Sequence, residues 1–262
     1  MSKINICFCS DKKLIEFIPV VINSIVSKNK KHEIAVHLIH NIQNEKRIDN
    51  LKNWISQFNN FSFQAYFKRW KHEYTGLDHV SEATMLRLFM PELINEDKIL
   101  YLDIDIIVNL DLMEIYKIDT KDIGIALKPC PSDKVVDNIS IIRYKNKKLS
   151  GNCGIIMMNL EVLRKNKFTQ TCLELHKKND DKHDQWIINE YCQGNYIELE
   201  PRFNVYHRRD SHLMEQHEDY LLHYNEHVKP YHTKRDCGKY QYLWDEQYKK
   251  LQPKTIKLEF NE

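Results

Sequence analysis

Apolar and polar positions along this chain fall into blocks whose period changes from one to the next. Residues 4–10 (INICFCS) form a short apolar run that predicts a buried strand, followed over about 14–28 by a helix in which Pro19 must sit in the first turn or kink it. A strand over 33–40 (EIAVHLIH), an amphipathic helix over about 44–58 and a strand over 61–68 (FSFQAYFK) continue the alternation. This βαβαβ start predicts a doubly wound α/β sheet. A helix over about 81–94, opened by Ser81 as N-cap, leads to the run KILYLDIDIIVNL at 98–110. Further strands are predicted at 122–128 and 154–160, with helices at 161–179 and 184–193. Beyond about 195 the pattern weakens until YQYLWDEQYKKLQ, a terminal amphipathic helix whose aromatic residues are expected to pack back on the domain.

The 98–110 run carries two carboxylates, Asp103 and Asp105, where the pattern otherwise asks for a buried strand. If the strand continues through Ile106, Ile107 and Val108, both side chains share one face, with Cα atoms roughly 6.6 Å apart. Two carboxylates so close repel each other unless a cation lies between them, and hard divalent ions take such oxygen ligands. A lone Asp would be read as a strand end; a continuing strand makes metal binding the better account. Phosphohydrolases of the haloacid-dehalogenase type also place D-x-D after an apolar strand. Their motif lies near the domain start, however, with Thr or Val two residues after the second Asp, whereas here three α/β elements precede it and Ile107 stands at that place.

Composition narrows the function classes. With 262 residues and 42% hydrophobic positions the chain can bury a large core, and 39 Lys+Arg against 37 Asp+Glu leave a net charge of +2. That balance argues against a generic nucleic-acid binder, which needs clustered cationic excess. No apolar run is long enough to span a bilayer and the first residues do not resemble a signal peptide, so a cytoplasmic protein is expected. Seven cysteines without paired spacing fit reduced, buried thiols. An open α/β sheet binds ligands at the carboxyl ends of its strands. Yet the six glycines form neither of the usual phosphate-cradling loops.

Four blocks in order, YLDIDIIV (101–108), SGNCGIIMMNL (150–160), DQWIIN (184–189) and HYNEHVKPYH (223–232), resemble glycosyltransferase family 8, the retaining nucleotide-sugar-dependent enzymes that include bacterial lipopolysaccharide galactosyl- and glucosyltransferases. The resemblance runs over about residues 4–232. It implies a single GT-A, Rossmann-like domain over 1–235, with a mixed, mostly parallel central sheet, and a C-terminal helical extension over 236–262. It also implies Mn²⁺, with Mg²⁺ as the alternative, held by Asp103, Asp105 and His223, and a lysine, Lys229, on the donor's diphosphate. Cys9, Asp11, Arg87, Ile104, Asn152, Cys153 and Asp184 take the family's donor-binding positions, and Gln185 with Asp184 its catalytic ones. Gln185 would lie near the reacting carbon, and because an amide is a poor nucleophile, front-face return is expected over a covalent intermediate.

The resemblance further implies a UDP-hexose donor and a glycan or lipid-linked glycan acceptor, with no nucleic acid and at most peripheral membrane contact. A metal-dependent binder without turnover is a second reading. The chain departs from the pattern at Glu226, where the family has a glycine beside the diphosphate, and at Trp186, in place of an acidic residue.

Overall fold

The computed structural model describes residues 2–71, 81–130, 142–232 and 236–251. The chain begins β1 (Lys3–Ser10), α1 (Ile18–Lys28), β2 (Glu33–His40), α2 (Glu45–Ile55) and β3 (Phe61–Phe67). β1 and β2 are buried at seven of eight positions, which accounts for apolar residues at both odd and even positions along them: both faces of the sheet are covered. Pro19 lies in the first turn of α1, where its missing N–H costs nothing, and Asn44 caps α2 by accepting the Lys46 N–H at 3.1 Å.

Residues 81–94 depart from the expected α-helix. Ser81 does cap the segment, accepting from the Ala83 N–H at 3.2 Å, but Glu82–Phe89 winds as a 3-10 helix and only α3 (Met90–Leu93) is α-helical. The strand expected over 98–110 is also divided. β4 (Lys98–Leu102) ends before Asp103, and β5 (Ile106–Asn109) belongs to a different sheet. After α4 (Met113–Tyr116) come β6 (Ile125–Pro129) and β7 (Gly151–Asn159). The single helix expected over 161–179 is two, α5 (Leu160–Lys165) and α6 (Phe168–Lys178), separated by Lys167 at φ 54°. α7 (Asp184–Cys192) precedes β8 (Ile197–Glu198), β9 (Val205–Tyr206), α8 (Leu213–Gln216), β10 (Tyr220–His223) and α9 (Gln241–Leu251).

The main sheet has the order β3-β2-β1-β4-β7-β6-β8, with β7 antiparallel to both β4 and β6 and the other pairs parallel. Strand order reverses at β1, which lies between β2 and β4, so a crevice opens outside the carboxyl ends of β1 and β4. A smaller sheet, β5-β10-β9, stands beside it. This is the mixed, mostly parallel α/β sheet expected. One apolar cluster packs α1 and α2 on one face; a second packs the 82–89 segment, α3 and α5 to α7 on the other.

A third cluster joins α9 to α1 and the small sheet. Trp244 is 1% exposed, its ring centre 6.0 Å from that of Tyr224 and 6.1 Å from that of Tyr231, while Tyr242 and Tyr248 on the same helix stay exposed. All seven cysteines are buried and none is in a disulfide bond. Among the described residues no helix is long and apolar enough to cross a membrane.

Candidate active site

Asp103, Ile104 and Asp105 form the turn that carries the chain from β4 into β5. The two carboxylates therefore do not meet by strand alternation. The Asp103 N–H donates to the Gly154 carbonyl on β7 at 2.8 Å, and the Asp105 carbonyl accepts from the Tyr224 N–H just past β10 at 3.1 Å. Stitched to both sheets, the turn brings its side chains to His223, the last residue of β10. One ligand atom from each of Asp103, Asp105 and His223 lies within 4.8 Å of the other two.

Asp103 Oδ1 accepts from the Tyr101 hydroxyl at 2.6 Å and from Arg87 Nη2 at 3.0 Å, while Oδ2 lies 3.8 Å from His223 Nε2. Burial raises the Asp103 carboxyl above its ordinary value, against the pull of Arg87. Asp105 Oδ2 pairs with Lys229 Nζ at 2.8 Å, and Oδ1 is 3.4 Å from His223 Nε2. Burial would push Asp105 up as well, but the Lys229 ammonium and His223 outweigh it and hold this carboxyl well below the usual range.

The pocket between these groups fits a divalent cation. Asp105 Oδ1 is buried and has no hydrogen-bond partner among the described residues. A Cβ on Gly154 would lie 2.2 Å from His223 Cε1 and 2.8 Å from Asp103 Oδ2, so the wall is kept clear of side chain just where the ligands converge. Two carboxylate oxygens and an imidazole nitrogen suit Mn²⁺.

These residues lie in a cleft of about 560 Å³ at the sheet's reversal point. Cys9, Asp11, Arg87, Ile104, Asn152, Cys153, Asp184, Gln185 and Lys229 all line it, so the structure brings together every candidate named from the sequence. Their chemistry is less open than their positions suggest. Arg87 is 3% exposed, with Nε on Asp184 at 2.9 Å, Nη1 on the Cys153 carbonyl and its guanidinium 4.3 Å above the Tyr101 ring; it ties Asp103 to Asp184. Asp184 is the first residue of α7, directly after the N-cap residue His183. The Asp11 carboxylate accepts from the Lys13 and Leu14 N–H groups at 2.8 and 3.1 Å and from the Ser81 hydroxyl, closing the loop after β1. Gln185 Oε1 accepts from the Cys153 N–H at 3.0 Å.

Of the two departures from the family pattern, Glu226 lines the cleft and pairs with Arg208 at 3.0 Å. Trp186 packs against the second apolar cluster and does not line it. Sequence reading missed Gly154, Tyr101 and Asn204. Gly154 was visible only as a glycine in a strand, a known sign of close approach. Asn204 lies in a weakly patterned stretch that gave no signal.

The sequence profile described as Glycosyl transferase family 8 matches residues 5–235. This chain belongs to glycosyltransferase family 8. The family 8 chain is 28% identical over 165 residues to glycosyltransferase GlyF of Streptococcus pneumoniae serotype 4, covering 59% of this chain and 39% of that protein. It is 26% identical over 195 residues to glycosyltransferase GlyD of the same organism, covering 69% of this chain and 22% of that one. It thus spans well under half the length of these relatives.

Its fold superposes on a galactosyltransferase, LgtC, solved with donor and acceptor sugar analogues, with a TM-score of 0.74 at 20% identity over 95% of this chain and 96% of the other. GlyE of Streptococcus pneumoniae superposes with a TM-score of 0.72 at 20% identity, over 94% of this chain and 60% of that one. The GT-A fold follows, and the family displaces the phosphohydrolase reading.

Proposed function

We propose that this family 8 chain is a metal-dependent retaining hexosyltransferase that moves galactose or glucose from a UDP-sugar to a glycan hydroxyl, in the cytoplasmic synthesis of bacterial surface polysaccharide or lipopolysaccharide. The observation that carries it is the convergence of Asp103, Asp105 and His223 beside the Lys229 ammonium, in a cleft also lined by Asn152, Asp184 and Gln185. When bound there, Mn²⁺ or Mg²⁺ neutralises charge on the departing diphosphate. Asp103, Asp105 and His223 would hold it. Lys229 can leave Asp105 Oδ2 for a phosphate oxygen, adding a second positive charge where the leaving group develops negative charge.

Asp184 and Asn152 offer carboxylate and amide groups to sugar hydroxyls, and a hydroxyl missing from the wrong sugar leaves a buried polar group unpaired. Gln185, its carbonyl oriented by the Cys153 N–H, steadies an oxocarbenium-like centre rather than attacking it. The acceptor hydroxyl then enters on the face the diphosphate leaves, its proton passing to a phosphate oxygen, which keeps configuration. The solved complex of LgtC with donor and acceptor analogues supports a nucleotide-sugar donor and a glycan acceptor. A lipid-linked acceptor would bring the protein to the inner membrane surface.

The test is incubation with UDP-galactose, UDP-glucose and other UDP-hexoses against a panel of glycan acceptors, with Mn²⁺ or with chelator. Metal-dependent release of UDP and glycosylated product are expected. No release with any donor, or release untouched by chelator, refutes the proposal; tight metal-dependent UDP binding without turnover would favour a binder.

A further inference from the structure

Asn204 ends a 3-10 turn, Pro201–Asn204, directly before β9, and is fully buried. Its amide lies between two residues of the cleft. Nδ2 is 2.9 Å from Asn152 Oδ1, and Oδ1 is 3.0 Å from His223 Nδ1. The ends of an amide can be exchanged without changing its shape, so its orientation must come from the hydrogen-bond network. Here two backbone N–H groups, which can only donate, settle that network. The Gly154 N–H donates to Asn152 Oδ1 at 3.0 Å, and the Cys153 N–H donates to Gln185 Oε1 at 3.0 Å. Asn152 Nδ2 accordingly faces Gln185 Oε1, at 3.4 Å, and its Oδ1 is an acceptor.

Asn204 must then donate to Asn152 through Nδ2, which turns its oxygen toward His223. An oxygen acceptor requires a hydrogen on His223 Nδ1, and in neutral imidazole that leaves the Nε2 lone pair aimed at Asp103 and Asp105. The turn bearing Asn204 is itself fixed. Lys128 Nζ donates to the Asn204 carbonyl at 2.8 Å, is ion-paired with Asp210, and lies 4.1 Å above the Tyr206 ring.

We propose that Asn204 is a positioning residue that sets the His223 tautomer for metal ligation and links that ligand to the sugar-facing Asn152 and Gln185. The proposal rests on reading the cleft as a metal-dependent sugar-transfer site. Outer hydrogen bonds of this kind fix ring orientation and ligand basicity, and losing one typically costs about 10- to 100-fold in metal affinity.

The test uses the whole protein, with Mn²⁺ alone for the binding measurements and with donor added for KM. In the metal-free, ¹⁵N-histidine-labelled protein, long-range correlation spectra should show His223 protonated at Nδ1. By Mn²⁺ titration followed by electron paramagnetic resonance, Asn204→Ala should weaken binding about 10- to 100-fold. Asn204→Asp keeps an oxygen toward His223 and should recover most of that affinity. It also sets an oxygen against Asn152 Oδ1, and should raise KM for the sugar donor. A wild-type His223 that carries hydrogen on Nε2 and none on Nδ1 refutes the proposal, as does an Asn204→Asp variant that binds Mn²⁺ as poorly as Asn204→Ala, or a folded Asn204→Ala variant that binds like wild type. Should the wild type show Nδ1–H but take up no Mn²⁺, the metal-dependent function falls while the hydrogen-bond relay stands.

Discussion

Substituting Gly154 by Ala adds a single methyl group at the point where the metal ligands meet. Gly154 sits inside β7, and its φ is not in the left-handed region, so alanine meets no backbone strain there. The effect is confined to space. The new Cβ would stand 2.2 Å from His223 Cε1 and 2.8 Å from both His223 Nε2 and Asp103 Oδ2. Ordinary carbon contacts are about 3.5 to 4.0 Å, so the imidazole must retreat by about 1.3 Å or more. Metal–ligand distances tolerate only about 0.2 Å.

His223 cannot both avoid the methyl and keep its place, because its Nδ1 is tied to Asn204 and its ring lies against that of Tyr206. Losing a metal ligand outright should cost at least the upper end of what losing its outer partner costs, about 100-fold in Mn²⁺ affinity. The overpacking itself should cost about 1–3 kcal/mol of stability. Mn²⁺ titration by electron paramagnetic resonance, together with urea unfolding of the metal-free protein, measures both. A Gly154→Ala protein that binds Mn²⁺ with wild-type affinity would refute the argument that this glycine holds the cavity open.

Three further outcomes are expected. Lys229→Met removes the cation that competes for Asp105 Oδ2, so Mn²⁺ alone should bind at least as tightly as to wild type, whereas UDP with Mn²⁺ should bind about tenfold more weakly or worse; calorimetry with UDP unaffected would contradict the phosphate role. Burial holds the His37 imidazole down to about 4 from its ordinary 6.5, so the unfolded chain takes up this proton first, and the stability involved is whole above pH 6.5 and lost as pH falls toward 4. His37→Gln should flatten that decline in urea midpoint between pH 7 and 5, and an unchanged slope would count against it. Trp244→Ala should cost about 3–5 kcal/mol by empty space left between α9, Tyr224 and Tyr231, and denaturation equal to wild type would show that α9 contributes no packing.

The alternation of strands and helices was legible because burial on both faces leaves β1 and β2 mainly apolar, and the ordered motif blocks were legible because each is local. Helix type was not. Glu82–Phe89 carries an N-cap and an apolar face that suit an α-helix, yet it winds more tightly while committing Arg87 to Asp103, Asp184 and the Cys153 carbonyl. The break after Leu102 was equally hidden, since Ile106, Ile107 and Val108 are as apolar as β4 itself; only their partner strand, β10, reveals that they serve another sheet.

By itself the sequence determined the α/β class, the reversal-point cleft as the place for a ligand, and the chemical identity of the groups in it. Periodicity acts within a few residues and suffices for the class and the cleft, while the groups in the cleft were implied by a family resemblance that rests on local motif blocks. What tertiary structure decided is which atoms meet: Lys229 reaches Asp105 across 124 positions of chain, Gly154 clears space for a histidine on another sheet, and Asn204 dictates which nitrogen of that histidine carries hydrogen. Such contacts follow from how two sheets dock, and docking is fixed by packing summed over the whole core rather than by any local pattern.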